Sequence, residues 1–103
     1  MTESEFNQLA DAALARIETA IDDCGGDVEC SRSGNVLEIE FDNGQKIIIN
    51  RHDINQEIWV AARSGGFHYG YRDGKWLSQR DGSELFGKLV ELFAEQGEQI
   101  SLA

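Results

Sequence analysis

The stretch Val36–Asn50, VLEIEFDNGQKIIIN, decides the fold of this chain. Apolar and charged residues alternate through Val36–Phe41, which is typical of a strand with one buried face. Asn43-Gly44 follows, and both residues tolerate the positive φ that a type I′ turn requires. Lys46–Asn50 then predicts a second strand. The stretch therefore predicts an antiparallel hairpin with one face towards a core.

Similar signals before and after this hairpin predict a sheet of six short strands. Ser33-Gly34, Gly65-Gly66 and Asp73-Gly74 mark further turns. Short connections between successive strands favour an antiparallel meander. The predicted strands are Val28–Arg32, Val36–Phe41, Lys46–Asn50, Glu57–Ala62, Phe67–Tyr71 and Trp76–Gln79.

Apolar residues three and four positions apart predict two helices that flank the sheet. The first covers Ser4–Ile21, with Ser4 as N-cap, and stops at Gly25-Gly26. The second begins after Asp81-Gly82, with Asp81 or Ser83 as N-cap. We therefore expect an α+β fold, a two-layer sandwich of two helices on one face of a six-stranded antiparallel sheet.

Length and composition predict a single soluble domain over residues 1–103. No segment approaches the ~20 consecutive apolar residues of a membrane-spanning helix. The formal net charge of −10 disfavours nucleic acid and anionic membranes as partners. Met1–Phe6 carries two acids and lacks the features of a secretory signal, so we expect a cytoplasmic protein with Cys24 and Cys30 as free thiols.

The negative charge lies mainly in the first part of the chain. Residues 1–42 hold eleven acidic and two basic residues, a net of −9, whereas the rest nets −1. A one-sided field of this kind attracts cations or a basic protein surface.

Six of these acids form a predicted acidic ridge. Helical periodicity places Asp11, Glu18 and Asp22 opposite the apolar stripe of the first helix, and three more acids follow in the loop and the first strand. Separated surface carboxylates bind hard cations weakly, with waters completing the shell. The alternative is an ordinary solvated helix face. The candidate metal ligands are Asp11, Glu18, Asp22, Asp23, Asp27 and Glu29.

Aromatic residues supply a second candidate site. Alternation in the fourth strand places Trp59 on the open sheet face, where a large aromatic is a typical anchor for a protein partner, whereas Trp76 is expected in the core. His52 and His68 lie far in sequence from the two cysteines, which disfavours a zinc site and leaves haem binding open. No catalytic motif is present, so we expect a protein that is not an enzyme.

Three segments together resemble the frataxin family, in particular its bacterial, CyaY-type branch. The segments are SEFNQLADAALARIETAIDD, VLEIEFDNGQKIIIN and QEIWVAARSGGFHYGYRDGKW. The resemblance runs from Ser4 to about Phe93. Its most specific parts are Asn43-Gly44, the Gln56-x-x-Trp59 element, and Trp76 followed by Asp81-Gly82.

The resemblance implies the fold described above and a role in iron–sulfur cluster assembly. It implies weak, reversible binding of iron (Fe²⁺ or Fe³⁺) on the acidic ridge, no organic cofactor, and a monomer that docks on the cysteine desulfurase and its scaffold protein. The implied partner-binding residues are Glu18, Asp22, Asp23, Glu38, Glu40 and Trp59. Thr19 and Gly25 stand where bacterial relatives often carry acids, which implies a thinner ridge and argues against stoichiometric iron loading.

Two alternative functions remain open at this point. An iron chaperone or storage protein would deliver iron itself and oligomerise on loading. A ferroxidase-like enzyme would need closely spaced, partly buried carboxylates and histidines, which the first helix does not offer.

Overall fold

The computed structural model describes residues 1–102 and shows two helices and six strands. All neighbouring strands are antiparallel and follow the chain order β1-β2-β3-β4-β5-β6. This confirms the α+β architecture and the meander. The elements are α1 Glu3–Asp23, β1 Val28–Ser33, β2 Val36–Phe41, β3 Lys46–His52, β4 Glu57–Ala62, β5 Gly65–Arg72, β6 Lys75–Leu77 and α2 Leu85–Glu95.

One continuous core lies between the helices and one face of the sheet. In β2 the residues Leu37, Ile39 and Phe41 are buried, as the alternation predicted. Phe41 meets Phe93 of α2 edge-on, with ring centroids 4.9 Å apart. Trp76 is only 4 % exposed, which confirms its predicted place in the core.

The helix starts differ from the prediction. Thr2, not Ser4, caps α1: its Oγ1 accepts from the Glu5 backbone N–H at 3.1 Å, and the Glu5 carboxylate accepts from the Thr2 N–H at 2.9 Å. Glu84, not Asp81 or Ser83, caps α2. Glu84 forms a β-bridge with Leu77, so the helix can begin only at the residue after it.

The turns also refine the prediction. Asp73-Gly74 has positive φ at both residues, as a type I′ turn requires. At Asn43-Gly44 only the glycine does, because the connection is a four-residue loop closed by a bond from the Phe41 N–H to the Gln45 carbonyl.

The segment after α2 packs back onto the core. Ile100 is buried, and the Arg16 guanidinium on α1 donates to the Ser101 carbonyl at 3.2 Å. Cys24 and Cys30 are free thiols. Within residues 1–102 neither helix has the length and apolar character needed to cross a bilayer.

Candidate functional site

The acidic residues of α1 lie on its solvent side, as the periodicity predicted. The buried stripe of α1 includes Phe6, Leu14 and Ile17, and Asp11 and Asp22 are exposed on the opposite side. The 21-residue helix ends at Asp23, and Gly25 adopts a φ of +69° in the turn towards β1. Asp27 follows this turn and Glu29 lies in β1, which is an edge strand of the sheet.

Arginines neutralise the N-terminal half of this ridge. Arg32 on β1 donates to the carboxylates of Asp11 at 3.1 Å and Glu18 at 3.2 Å. Arg51 on β3 also pairs with Asp11, and it donates to Asn7 at 2.6 Å and to Asp53 at 3.3 Å. Asp11 therefore serves two guanidinium groups and is not a free ligand.

The C-terminal half of the ridge has no such counter-charges. Among residues 1–102, no lysine or arginine forms an ion pair with Asp22, Asp23, Asp27 or Glu29. These four acids define the unpaired acidic edge.

Two acids of β2 and its turn extend this edge. Asp27 and Glu29 line a cleft of about 440 Å³ together with Glu40 and Asp42. Glu29 lies directly opposite Glu40 across the β1–β2 pair, and such like-charge pairs are destabilising. The sheet therefore holds two negative charges directly opposite each other here, and Lys46, the β3 neighbour of Glu40, pairs with Glu38 instead.

The pKa of the Cys30 thiol, which lies on β1, is affected by the same acidic residues. Burial raises its pKa to about 11, and the negative charges of Glu18 and Asp22 add to the effect. Cys30 is therefore a neutral thiol at physiological pH and a poor metal ligand.

The six candidate ligands do not converge: Asp23 lines a groove with Val90 and Ile100, whereas Asp27 and Glu29 line the cleft beside β2. No group of three or more His, Cys, Asp or Glu side chains in the described part of the chain is arranged to hold a metal ion. The acidic surface can therefore attract cations by its field, but each ion would keep most of its water.

The open sheet face carries Trp59, in the position that alternation predicted. Its ring is stacked between His52 and His68, with ring centroids 4.0 and 4.1 Å apart and interplanar angles of 7° and 8°. The indole N–H donates to the Glu57 carboxylate at 2.8 Å. Trp59 is therefore half-buried, not broadly exposed as expected, because imidazoles cover both of its faces.

The histidines of this stack do not converge on a common ligand. The indole fills the space between His52 and His68, so one haem iron or one metal ion cannot lie between the two rings. Sequence reasoning noted both histidines but missed the stack, although strand alternation and the meander order together place all three rings on adjacent strands of one face.

The predicted partner-binding acids of β2 differ in their environment. Glu38 forms an ion pair with Lys46 at 3.5 Å, whereas Glu40 has no basic partner among the residues described. Glu40 therefore belongs to the acidic surface, and Glu38 contributes less to its field.

Comparison with known proteins decides the family. A family model described as a frataxin-like domain matches residues 1–99. The chain belongs to the frataxin family. Curated relatives of this frataxin-family protein include two bacterial proteins named iron–sulfur cluster assembly protein CyaY. The protein from Janthinobacterium sp. (strain Marseille) is 54 % identical over 94 % of this chain and 91 % of its own length. The protein from Neisseria meningitidis serogroup B is 48 % identical over 100 % of this chain and 97 % of its own length.

Solved structures agree with this assignment. Frataxin from Psychromonas ingrahamii superposes with a TM-score of 0.91 at 38 % identity and covers 98 % of this frataxin-family chain and 97 % of its own. A trimeric frataxin from Saccharomyces cerevisiae complexed with ferrous iron gives a TM-score of 0.70 at 24 % identity. The match covers 93 % of this chain and 86 % of the yeast chain. At that identity the yeast protein supports the fold alone.

Proposed function

We propose that this frataxin-family protein is a non-catalytic adaptor of iron–sulfur cluster assembly in the bacterial cytoplasm. It binds iron weakly and docks on the cysteine desulfurase and its scaffold protein. The observation that carries the proposal is the unpaired acidic edge beside a sheet face that bears Trp59. The names of the two bacterial relatives support the process.

The acidic edge supports weak and reversible iron binding. Iron ions accept carboxylate oxygens, and Asp22, Asp23, Asp27 and Glu29 offer them without an arginine competitor. Because the carboxylates do not converge, an ion is held mainly by the field and through water. Iron is the cargo or the signal in this proposal, and the ion exchanges readily.

The same edge supports docking on a basic protein surface. Opposite charges accelerate association and orient the partners, and the attraction weakens as salt screens it. Trp59 adds an aromatic anchor on the adjoining face, where burial against a partner stabilises the complex. Iron and the partner would then compete for the carboxylates of the edge.

An amide NMR titration tests the proposal. Ferrous iron is added under anaerobic conditions, and purified cysteine desulfurase is added afterwards. We expect iron to perturb the amides of Asp22–Glu29, and the desulfurase to perturb this edge together with Trp59. The proposal is contradicted if the amide signals of Asp22–Glu29 change with neither addition.

Charge-matched variants separate a local effect from a general one. Asp22→Asn with Asp23→Asn removes two charges from the edge, whereas Asp73→Asn with Glu95→Gln removes two exposed charges from other parts of the surface. Only the first pair of substitutions should weaken the binding of both iron and the desulfurase. Sedimentation with iron excess tests the storage alternative, since that function requires assembly on loading.

A further inference from the structure

The stack of His52, Trp59 and His68 has a geometry that general packing does not explain. The three side chains belong to β3, β4 and β5, and they lie side by side on the open face of the sheet. Both interplanar angles are below 10°, and both centroid distances are close to 4 Å. With the Glu57 hydrogen bond, three separate contacts hold one indole ring.

The stack also has a cost in the free protein. His52 Nδ1 is buried, and no donor or acceptor among residues 1–102 pairs with it. An unpaired buried polar atom destabilises a fold. An arrangement that keeps Trp59 fixed at this cost is typical of a functional surface.

We propose that His52 and His68 are positioning residues that preorganise Trp59 as a docking anchor, which the partner receives edge-on. This inference rests on the proposed function, in which Trp59 contacts the desulfurase–scaffold assembly. Fixing a side chain before binding removes the entropy cost of ordering it in the complex.

The geometry also specifies the chemistry of the partner's surface. Imidazoles cover both faces of the indole, so a partner arginine or peptide plane cannot stack on Trp59 while the stack is intact. The indole N–H is already bound to Glu57. The partner must therefore offer a slot with an apolar floor that receives the ring edge of Trp59.

Substitution of both histidines tests the inference. His52→Ala with His68→Ala leaves Trp59 in place but frees its ring, and we expect binding of the purified desulfurase–scaffold complex to weaken about two- to twelvefold. His52→Phe with His68→Phe keeps two flat rings against the indole and should bind within about twofold of the unchanged protein. Affinity is measured by biolayer interferometry at fixed salt.

A second readout follows the indole itself. The ¹⁵N heteronuclear NOE of the Trp59 side chain should fall in the alanine pair and stay high in the phenylalanine pair. Trp76 is buried in the core and serves as the internal reference. Positions on the open sheet face should tolerate both pairs without loss of the fold, and the amide spectrum checks this.

The outcomes separate this inference from the proposed function. If Trp59→Ala weakens binding and the alanine pair does not, the positioning role is wrong while the docking proposal stands. If the phenylalanine pair is as weak as the alanine pair, the imidazoles act through their own polar groups and the positioning role is again wrong. If Trp59→Ala binds normally, both proposals are wrong about this face.

Discussion

Arg32 limits how much of the acidic ridge is open to cations, and removing it should enlarge the binding surface. Its guanidinium donates to Asp11 at 3.1 Å and to Glu18 at 3.2 Å, and all three side chains are partly exposed. Each exposed pair contributes about 0.2–1 kcal/mol, so a cation that takes both carboxylates must offset about 0.4–2 kcal/mol. Arg32→Gln removes this competition, which frees Glu18, whereas Asp11 stays paired with Arg51.

We expect Arg32→Gln to bind ferrous iron at Asp11 and Glu18 about two- to thirtyfold more tightly than the unchanged protein. The assay is an anaerobic titration followed at the amides of both residues. Lys46→Gln is the matched control, because it also changes the net charge from −10 to −11 but removes a pair with Glu38 on the open sheet face.

Two results would refute this reasoning. Equal gains in the two variants would mean that total charge, and not Arg32, controls cation access. No gain at Glu18, which pairs with Arg32 alone among residues 1–102, while Asp22–Glu29 responds normally, would mean that Arg32 does not compete. High salt should reduce the gain, since the distance over which exposed charges interact falls from about 10 Å at ~0.1 M salt to about 3 Å at ~1 M.

Three further predictions concern stability and reactivity. Arg51→Met should lower the free energy of urea unfolding by about 2–4 kcal/mol, since Arg51 is only 10 % exposed and holds α1 to β3; a loss below about 0.5 kcal/mol contradicts this. In a Cys24→Ser protein, Cys30 should react with Ellman's reagent at mildly alkaline pH about tenfold more slowly in the folded than in the unfolded protein. The rise of its pKa from 9.0 to about 11 lowers the thiolate fraction about a hundredfold, and the greater nucleophilicity of the more basic thiolate offsets about tenfold of this; equal rates would disprove the shift. Hydrogen bonds from Thr2 lower the pKa of Glu5, so this stabilisation is present at neutral pH and lost as the pH falls below 4.5 through the lowered pKa. The difference in unfolding free energy between the unchanged protein and Glu5→Gln should shrink in acid, where the Glu5 carboxyl is neutral too; a constant difference contradicts the role of the Glu5 carboxylate in the capping box.

Local sequence patterns were enough to predict the helices and strands. They were wrong about some strand ends, because glycine occurs both in turns and within strands. Gly65-Gly66 predicts a turn from sequence, but both residues pair with β4, and β5 begins at Gly65. Conversely, β6 is shorter than predicted, because after Leu77 the chain leaves the strand and returns to pair at Glu84. Composition cannot distinguish a glycine in a strand from one in a turn, since the difference depends on the neighbouring strand.

The candidate site shows a sharper limit. Helical periodicity placed Asp11, Glu18 and Asp22 correctly on one face, because that placement depends only on local geometry. The pairs that neutralise Asp11 involve Arg32 and Arg51, 21 and 40 positions further along the chain. Such pairs depend on the packing of α1 across the sheet, so no local pattern reveals them.

The order of the elements also governs how the chain folds during synthesis. All six strands pair with their sequence neighbours, so the whole sheet can form before α2 leaves the ribosome. Until then the sheet lacks one of its two covering helices, and Phe41 has no Phe93 to pack against. The nascent chain therefore exposes apolar surface up to its last stage, when a chaperone could bind it, and a product that stops before Leu85 would be prone to aggregate.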